Sequence, residues 1–75
     1  MSPQSAEVLR LLRKYPQGVT QQDAIREIAC YRLAARVAAL KAEGLDVRAI
    51  LEGSNGHRYA RYRLVEQPAQ LALAL

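Results

Sequence analysis

Two groups of arginines are the side chains in this sequence best suited to recognising a partner. Arg32 and Arg36 lie within residues 31–43, a stretch otherwise made largely of alanine and leucine. Arg58 and Arg61 follow shortly after the dipeptide Asn55-Gly56. A guanidinium group donates paired hydrogen bonds to phosphate oxygens or to base edges. The types and spacing of these residues therefore indicate an anionic partner.

Catalysis and metal binding are not indicated. The sequence has one histidine and one cysteine, and no second ligand stands at metal-binding distance in sequence from His57. No glycine-rich phosphate loop and no motif that pairs two carboxylates is present. We therefore expect no enzyme activity and no cofactor. Cys30 fits a small buried side chain, with a reactive thiol as the alternative.

The bulk properties predict one small domain. The chain has 75 residues and a net charge of +4, a sign that suits nucleic acid without proving it. Its single cysteine fits a reducing compartment. The apolar run from Val8 to Leu12 is interrupted by Arg10, so we predict no signal peptide, no membrane span and a cytoplasmic location. We expect residues 1–66 to form the domain and residues 67–75 an apolar tail.

A first helix is predicted to begin at Ser2-Pro3 and to stop before Pro16. A serine followed by proline is a helix-start signal, because serine caps the free N–H groups and proline suits the first helical position. Apolar residues then recur at helical spacing, at positions 8, 11, 12 and 15. This pattern predicts an amphipathic helix with its apolar side in the core.

A second helix is predicted to follow Thr20. Thr20 suits the N-cap position and Asp23 completes a capping box with it. Ala24, Ile25 and Ile28 are expected to face inward. Only a very short turn, in which glycine is commoner than the alanine and cysteine found here, separates this helix from the next one. Two helices joined in this way are typical of a helix-turn-helix.

The third helix is predicted over residues 31–43, with Gly44 closing it. Leu33, Val37 and Leu40 form its apolar stripe. The opposite face is narrow and basic, as a helix in the DNA major groove requires. The alternative is an ordinary amphipathic helix with a solvated basic face.

A β-hairpin is predicted after this helix. The pattern changes to strict alternation, and Asn55-Gly56 is a strong two-residue turn signal. Centring the turn there pairs Val47 with Leu64, Ala49 with Tyr62 and Leu51 with Ala60, all of them expected to face inward. The same register sets Arg48 against Arg63, a like-charge pair that favours a nearby anion. Three helices followed by a two-stranded hairpin, or wing, make an α+β winged helix-turn-helix. The alternative for the hairpin is a solvated ribbon.

The sequence resembles the small helix-turn-helix domains common in bacteriophage and prophage proteins, and winged-helix regulators more broadly. The residues that carry the resemblance lie between positions 17 and 64, in the second helix, the third helix and the hairpin. The resemblance implies sequence-specific binding of double-stranded DNA by a transcriptional regulator, with the third helix in the major groove and the wing on the flanking backbone. The expected location is the cytoplasm of a bacterial cell or phage-infected host. The predicted DNA contacts are Gln21, Gln22, Arg26, Tyr31, Arg32, Ala35, Arg36, Lys41, Asn55, His57, Arg58 and Arg61.

Two alternatives remain open from the sequence. The winged-helix surface or the tail could instead bind and inhibit a host protein, as some phage winged helices serve as protein-binding modules. The tail sequence from Gln70 to Leu75 is compatible with disorder, with homodimerisation through its leucines, or with docking on a replication sliding clamp. The clamp motif usually has an aromatic residue where Ala74 stands.

Overall fold

The computed structural model describes residues 1–54 and 56–66. In chain order, the elements are α1 (Pro3–Lys14), β1 (Val19–Thr20), α2 (Gln21–Ile28), α3 (Leu33–Ala42), β2 (Val47–Ser54) and β3 (His57–Leu64). The predicted order of three helices followed by a hairpin is confirmed. The predictions for Asn55 and for the tail, residues 67–75, lie outside the described residues.

Helix α1 begins and ends where its sequence signals place it. The Ser2 hydroxyl accepts a hydrogen bond from the Ser5 N–H at 3.1 Å, and Pro3 occupies the first turn. The buried side of the helix carries Val8, Leu11 and Leu12. This helix supplies much of the small core against which the other elements pack.

The start of α3 differs from its prediction. The helix begins at Leu33, so Tyr31 and Arg32 precede it and Arg32 takes the N-cap position. The turn before it therefore has four residues, 29–32, instead of the predicted two, and Ala29 ends α2 in the left-handed conformation at φ 52°. At the other end, Gly44 closes α3 with a positive φ, and the Leu45 N–H returns to the Leu40 carbonyl at 3.2 Å.

The hairpin register is confirmed along its whole length. Val47 pairs with Leu64, Ala49 with Tyr62, and so on to Ser54 with His57 at the tip. The sheet also has a third strand that the sequence did not predict. Residues Val19 and Thr20 pair with Tyr62 and Arg61, which gives the strand order β1-β3-β2. The strand β3 is therefore central, and β2 forms one edge.

The core is smaller than predicted, because only the base of the hairpin packs against the helices. Val47 is buried, but Ala49 is exposed and Leu51 is 70% exposed, so the inward prediction for these two residues is wrong. Beyond the first residues, the hairpin projects past the helical layer. Ile25 is also exposed, contrary to prediction, because Ala24 and Ile28, four residues apart, define the inward side of α2. The buried set is Val8, Leu11, Leu12, Val19, Ala24, Cys30, Leu33, Val37, Leu40 and Val47.

Candidate nucleic-acid interface

The exposed face of α3 is narrow because its residues are small. Ala34, Ala35 and Ala38 are all exposed. Alanine side chains extend so little from the helix that a second surface can approach its backbone closely. At the start of this face stand Arg32, which is exposed, and Tyr31, which is 70% exposed. The predicted contacts Tyr31, Arg32 and Ala35 therefore lie together on an accessible surface.

Arg36 is held partly within the protein. The residue is half-buried, and its Nε is covered from solvent with no hydrogen-bond partner among the described residues. A buried N–H without an acceptor costs about 1–3 kcal/mol. A bound partner could remove that cost only if the side chain moved outward, because the protein itself covers this atom.

The N-terminus of α3 is capped by a side chain of the preceding helix. Arg32 makes no side-chain capping bond. Instead, the Leu33 N–H donates to Oε1 of Gln21 at 3.0 Å, while Nε2 of Gln21 donates to the Cys30 carbonyl at 2.6 Å. Gln21 thus joins α2 to both sides of the turn. The sequence suggested a phosphate contact for this residue and gave no sign of the bridge.

The N-terminus of α2 is closed by a reciprocal capping box, as predicted. The Asp23 N–H donates to the Thr20 hydroxyl at 3.2 Å, and the Thr20 N–H donates to the Asp23 carboxylate at 3.0 Å. This backbone hydrogen bond lowers the pKa of Asp23 below its ordinary value, against the opposing effect of partial burial. Arg26 donates to the same carboxylate at 2.7 Å, so its charge is already paired.

Arg61 is also engaged within the protein. Its Nε donates to Oε1 of Glu52 at 2.8 Å, and this hydrogen bond raises the pKa of Arg61. Its Nη1 reaches the Gly18 carbonyl at 3.5 Å. A Cβ at position 18 would lie 2.4 Å from the Arg61 Cγ, so only glycine leaves room for this arginine stem. Arg61 therefore ties the wing to the α1–β1 turn.

The wing tip presents a different pair of residues. His57 and Arg58 are exposed, and neither takes part in an ion pair among the described residues. Gly53 shapes the backbone here, since its φ is 107° and a Cβ would lie 2.0 Å from the His57 carbonyl oxygen. Of the predicted wing contacts, His57 and Arg58 at the tip are thus outside ion pairs, whereas Arg61, further along β3, is paired with Glu52.

An open cleft of about 620 Å³ lies between the start of α2 and strand β3. Five of the predicted contact residues line it: Gln21, Gln22, Arg26, His57 and Arg61. The residues of α3 do not. The predicted set therefore forms two surfaces, one on α3 and one along the cleft and wing. The cleft also contains Tyr15, Gln17 and Tyr59, which were not in that set.

The ion pairs distribute the charge unevenly across the described residues. All seven acidic side chains have a basic partner: six pair with an arginine or lysine, and Glu43 pairs with the N-terminal ammonium. Within the described part of the chain, the basic side chains outside these pairs are Arg32, Arg36, Lys41, Arg58 and Arg63. Three belong to α3 and its N-cap, and two belong to β3. The net positive charge is thus concentrated on these two elements.

Arg63 is the member of this group that sequence reasoning missed. It faces Arg48 across the hairpin, as the register predicted. The anion that this like-charge pair favours is within the chain, because Arg48 pairs with Asp46 at 3.3 Å. The proximity of Asp46 to Arg48 in sequence was the available signal that Arg63 would remain the free member.

Metal ligands, membrane spans and the cysteine thiol are the other features to consider. Among residues 1–54 and 56–66, no cluster of three or more His, Cys, Asp or Glu side chains could hold a metal ion. In that same part of the chain, no helix has the length and apolar character needed to cross a bilayer. Cys30 is buried, in agreement with its prediction as a small core residue.

Three helices followed by the β2–β3 hairpin define a winged helix-turn-helix. The sequence model of the winged helix-turn-helix domain matches residues 3–67. The chain belongs to this family. No curated protein and no solved structure matches it.

Proposed function

We propose that this protein binds double-stranded DNA, with α3 in the major groove and the wing on the flanking backbone. The observation that carries the proposal is the location of the basic side chains outside ion pairs. These lie on α3 with its N-cap and on β3, whereas the acidic side chains are already neutralised by partners within the chain. DNA phosphates are bound most favourably by lysine and arginine side chains that no carboxylate of the protein already pairs with.

Arg32 and Arg36 are the proposed base-reading residues. Arg32 stands at the start of the alanine face of α3, and Arg36 is half-buried at the margin of that face. Guanine offers two acceptors in the major groove that match a guanidinium group. Tyr31 and Ala35 lie beside them. The Nε of Arg36 is covered by the protein itself, so the base contacts of this residue are assigned to its terminal guanidinium nitrogens.

The remaining contacts are proposed to position the protein on the phosphate backbone. Arg58 and His57 at the wing tip, Lys41 at the end of α3 and Gln22 at the start of α2 are exposed. Arg26 and Arg61 reach phosphates only by sharing or giving up their carboxylate partners, and the Gln21 amide is committed to the turn. We assign these three residues a mainly structural role within the interface.

The biological role we propose is sequence-specific transcriptional regulation, of the phage or prophage type that the sequence resembles. Membership of the winged helix-turn-helix family supports DNA binding. The resemblance supports the regulatory role.

The test compares arginines inside and outside the interface. A preferred duplex is first selected from a random pool, and binding is measured by fluorescence anisotropy for the Arg32→Ala, Arg36→Ala and Arg58→Ala variants. Each of the first two should cost about 1–3 kcal/mol on the selected site and relax its sequence preference. Arg58→Ala should weaken all duplexes alike and reduce the salt dependence by about one phosphate contact.

Arg10→Ala is the matched control. Arg10 lies on α1 with its side chain 75% exposed and only a 4.0 Å pair to Glu7. Arg10→Ala removes one positive charge, as the Arg32, Arg36 and Arg58 variants do, but outside the proposed interface. If Arg10→Ala weakens binding as much as the α3 variants do, the proposed interface is wrong.

A further inference from the structure

The strand β2 leaves one edge of the sheet open. In the order β1-β3-β2, this strand pairs on one side only within the described residues. An open edge presents N–H and C=O groups that can pair with another strand. Near the middle of this edge, Ile50 is 45% exposed and Leu51 is 70% exposed. The edge therefore combines free backbone groups with exposed apolar side chains.

The side chains along β2 are complementary to the same strand reversed. Arg48, Ile50 and Glu52 alternate with their neighbours, so all three point to one face of the sheet. Their order is positive, apolar, negative. When the strand is turned end for end, the order becomes negative, apolar, positive.

We infer that two copies of this chain pair antiparallel through β2, with a twofold axis at Ile50. In this register, Ile50 lies opposite Ile50 of the second copy, and Arg48 lies opposite Glu52 of the second copy on both sides of the axis. Ala49 lies opposite Leu51 of the second copy. Directly opposed strand residues come within about 4.5–5.5 Å of each other.

The charge pattern selects this register over its neighbour. An axis at Leu51 would place Arg48 opposite Ser54 and Ile50 opposite Glu52, which loses both ion pairs. With the axis at Ile50, each Glu52 faces Arg48 of the second copy in addition to Arg61 of its own chain. Arg63 of the second copy lies next to that Arg48, because the two arginines face each other across the hairpin.

The contacts already present are compatible with this pairing. Arg48 is 68% exposed although it reaches Asp46, so its guanidinium group is accessible. Glu52 uses Oε1 for Arg61, and Oε2 has no partner among the described residues. One carboxylate can accept from both arginines, because each oxygen has two lone-pair positions.

The dimer is expected to be weak. One strand from each copy makes an interface at the small end of the range for specific complexes. Self-association should therefore depend on concentration and appear in the micromolar to millimolar range. It goes beyond the proposed DNA binding, and it is tested without DNA.

Charge reversal at the two ends of the pairing provides the first test. Wild-type protein should show a monomer–dimer equilibrium by sedimentation. Arg48→Glu alone should be monomeric, because glutamates then face each other, and Glu52→Arg alone should be monomeric, because arginines do. An equimolar mixture of the two variants should dimerise again, since every opposed pair is then of opposite sign. A mixture that stays monomeric overturns the register.

The Glu52→Arg variant also loses the contact of Glu52 with Arg61, which could affect its folding. Cross-linking provides a second test that does not use this variant. Ile50→Cys places two thiols directly opposite each other, within disulfide distance, and should form a covalent dimer on mild oxidation. Ser54→Cys is the control, since the same register separates its thiols by about eight strand residues, or roughly 26 Å. Native Cys30 is buried in both variants.

Two results would contradict the inference. A wild-type protein that remains monomeric throughout, with Ile50→Cys cross-linking no faster than Ser54→Cys, overturns it. Equal dimerisation of the wild type and both charge variants also overturns it, because the interface would then lie elsewhere, for example in the tail.

Discussion

A single backbone conformation distinguishes Ala29 from the other non-glycine residues that the structure describes. Its φ of 52° lies in the left-handed region, where an L-residue with a Cβ is disfavoured by roughly 1–2 kcal/mol. The side chain is exposed. The helix-turn-helix therefore retains strain at the position where the sequence analysis expected glycine.

The Ala29→Gly variant should stabilise the protein by about 1 kcal/mol, because glycine adopts this conformation without strain. The free energy of unfolding in urea measures the effect. Ala38→Gly is the control, since the same change at an exposed position inside α3 should destabilise by about 1 kcal/mol. Equal signs for the two variants would contradict the strain at Ala29.

The Asp23 carboxylate should make the stability of α2 depend on pH. Its pKa in the folded protein is below the ordinary value of 3.8. Its contribution is therefore complete above that value and is lost as the pH falls through the folded pKa. Asp23→Asn should destabilise by about 1 kcal/mol at neutral pH, and the difference from wild type should shrink in acid.

Urea denaturation of both proteins between neutral and acid pH measures this difference. Glu27 lies in α2 like Asp23, and Glu27→Gln removes its ion pair to Lys14 of α1, which should change stability by less than about 0.5 kcal/mol. A difference for Asp23→Asn that does not vary with pH would show that the carboxylate charge has no role in the cap.

The arginines show what sequence alone can establish at the residue scale. Their positions on a helix or a hairpin follow from periodicity. Their partners do not, because Arg61 finds Glu52 across the hairpin and Arg13 finds Glu66 from a distant part of the chain. Tertiary structure thus decides which cations remain available for DNA. The sequence alone could not show that Arg61 is paired within the protein whereas Arg58 is not.

At the scale of elements, the link between α2 and α3 depends on one glutamine. Gln21→Ala should destabilise by about 1–3 kcal/mol, since the buried Leu33 N–H would lose its acceptor. Gln22→Ala, at the adjacent exposed position, should change stability by less than about 0.5 kcal/mol. Thermal denaturation followed by circular dichroism compares the two. Similar losses for both would exclude the bridge as a stabilising contact.

The elements were predictable to the extent that their signals are local. Caps and proline fixed the start and end of α1, and a two-residue turn fixed the hairpin register. The strand β1 has only two residues, too few for alternation to reveal, and its pairing with β3 depends on residues about 40 positions away. Tyr31 and Arg32, the first two residues assigned to α3, precede the helix, whose first N–H is capped by Gln21 from α2, a contact that local signals do not indicate.

At the scale of the whole molecule, the hairpin reaches beyond the helical core. Leu40→Ala should destabilise by about 2–5 kcal/mol, because Leu40 is fully buried. Leu51→Ala removes the same atoms from a residue that is 70% exposed and should cost less than about 0.5 kcal/mol. Unfolding free energies in urea test the pair. A comparable loss at Leu51 would mean that the outer wing is buried in solution.

The outer wing was misjudged because alternation identifies the two faces of a strand, but not how far a neighbouring layer extends over one of them. Ala49 and Leu51 share a face with Val47, yet only Val47 meets the helices. The distribution of charge is likewise a property of the whole molecule. Pairing of the acidic residues leaves the excess cations on α3 and β3, which no single segment of the sequence reveals.

The most direct measurement is the salt dependence of wild-type binding to a random-sequence duplex. The protein should bind in low salt at micromolar concentrations. A plot of log affinity against log salt should fall with a slope of about −0.9 for each phosphate contact. Failure to bind any duplex at tens of micromolar in low salt, where non-specific binding should be visible, would contradict DNA binding. It would favour a protein-interaction module instead.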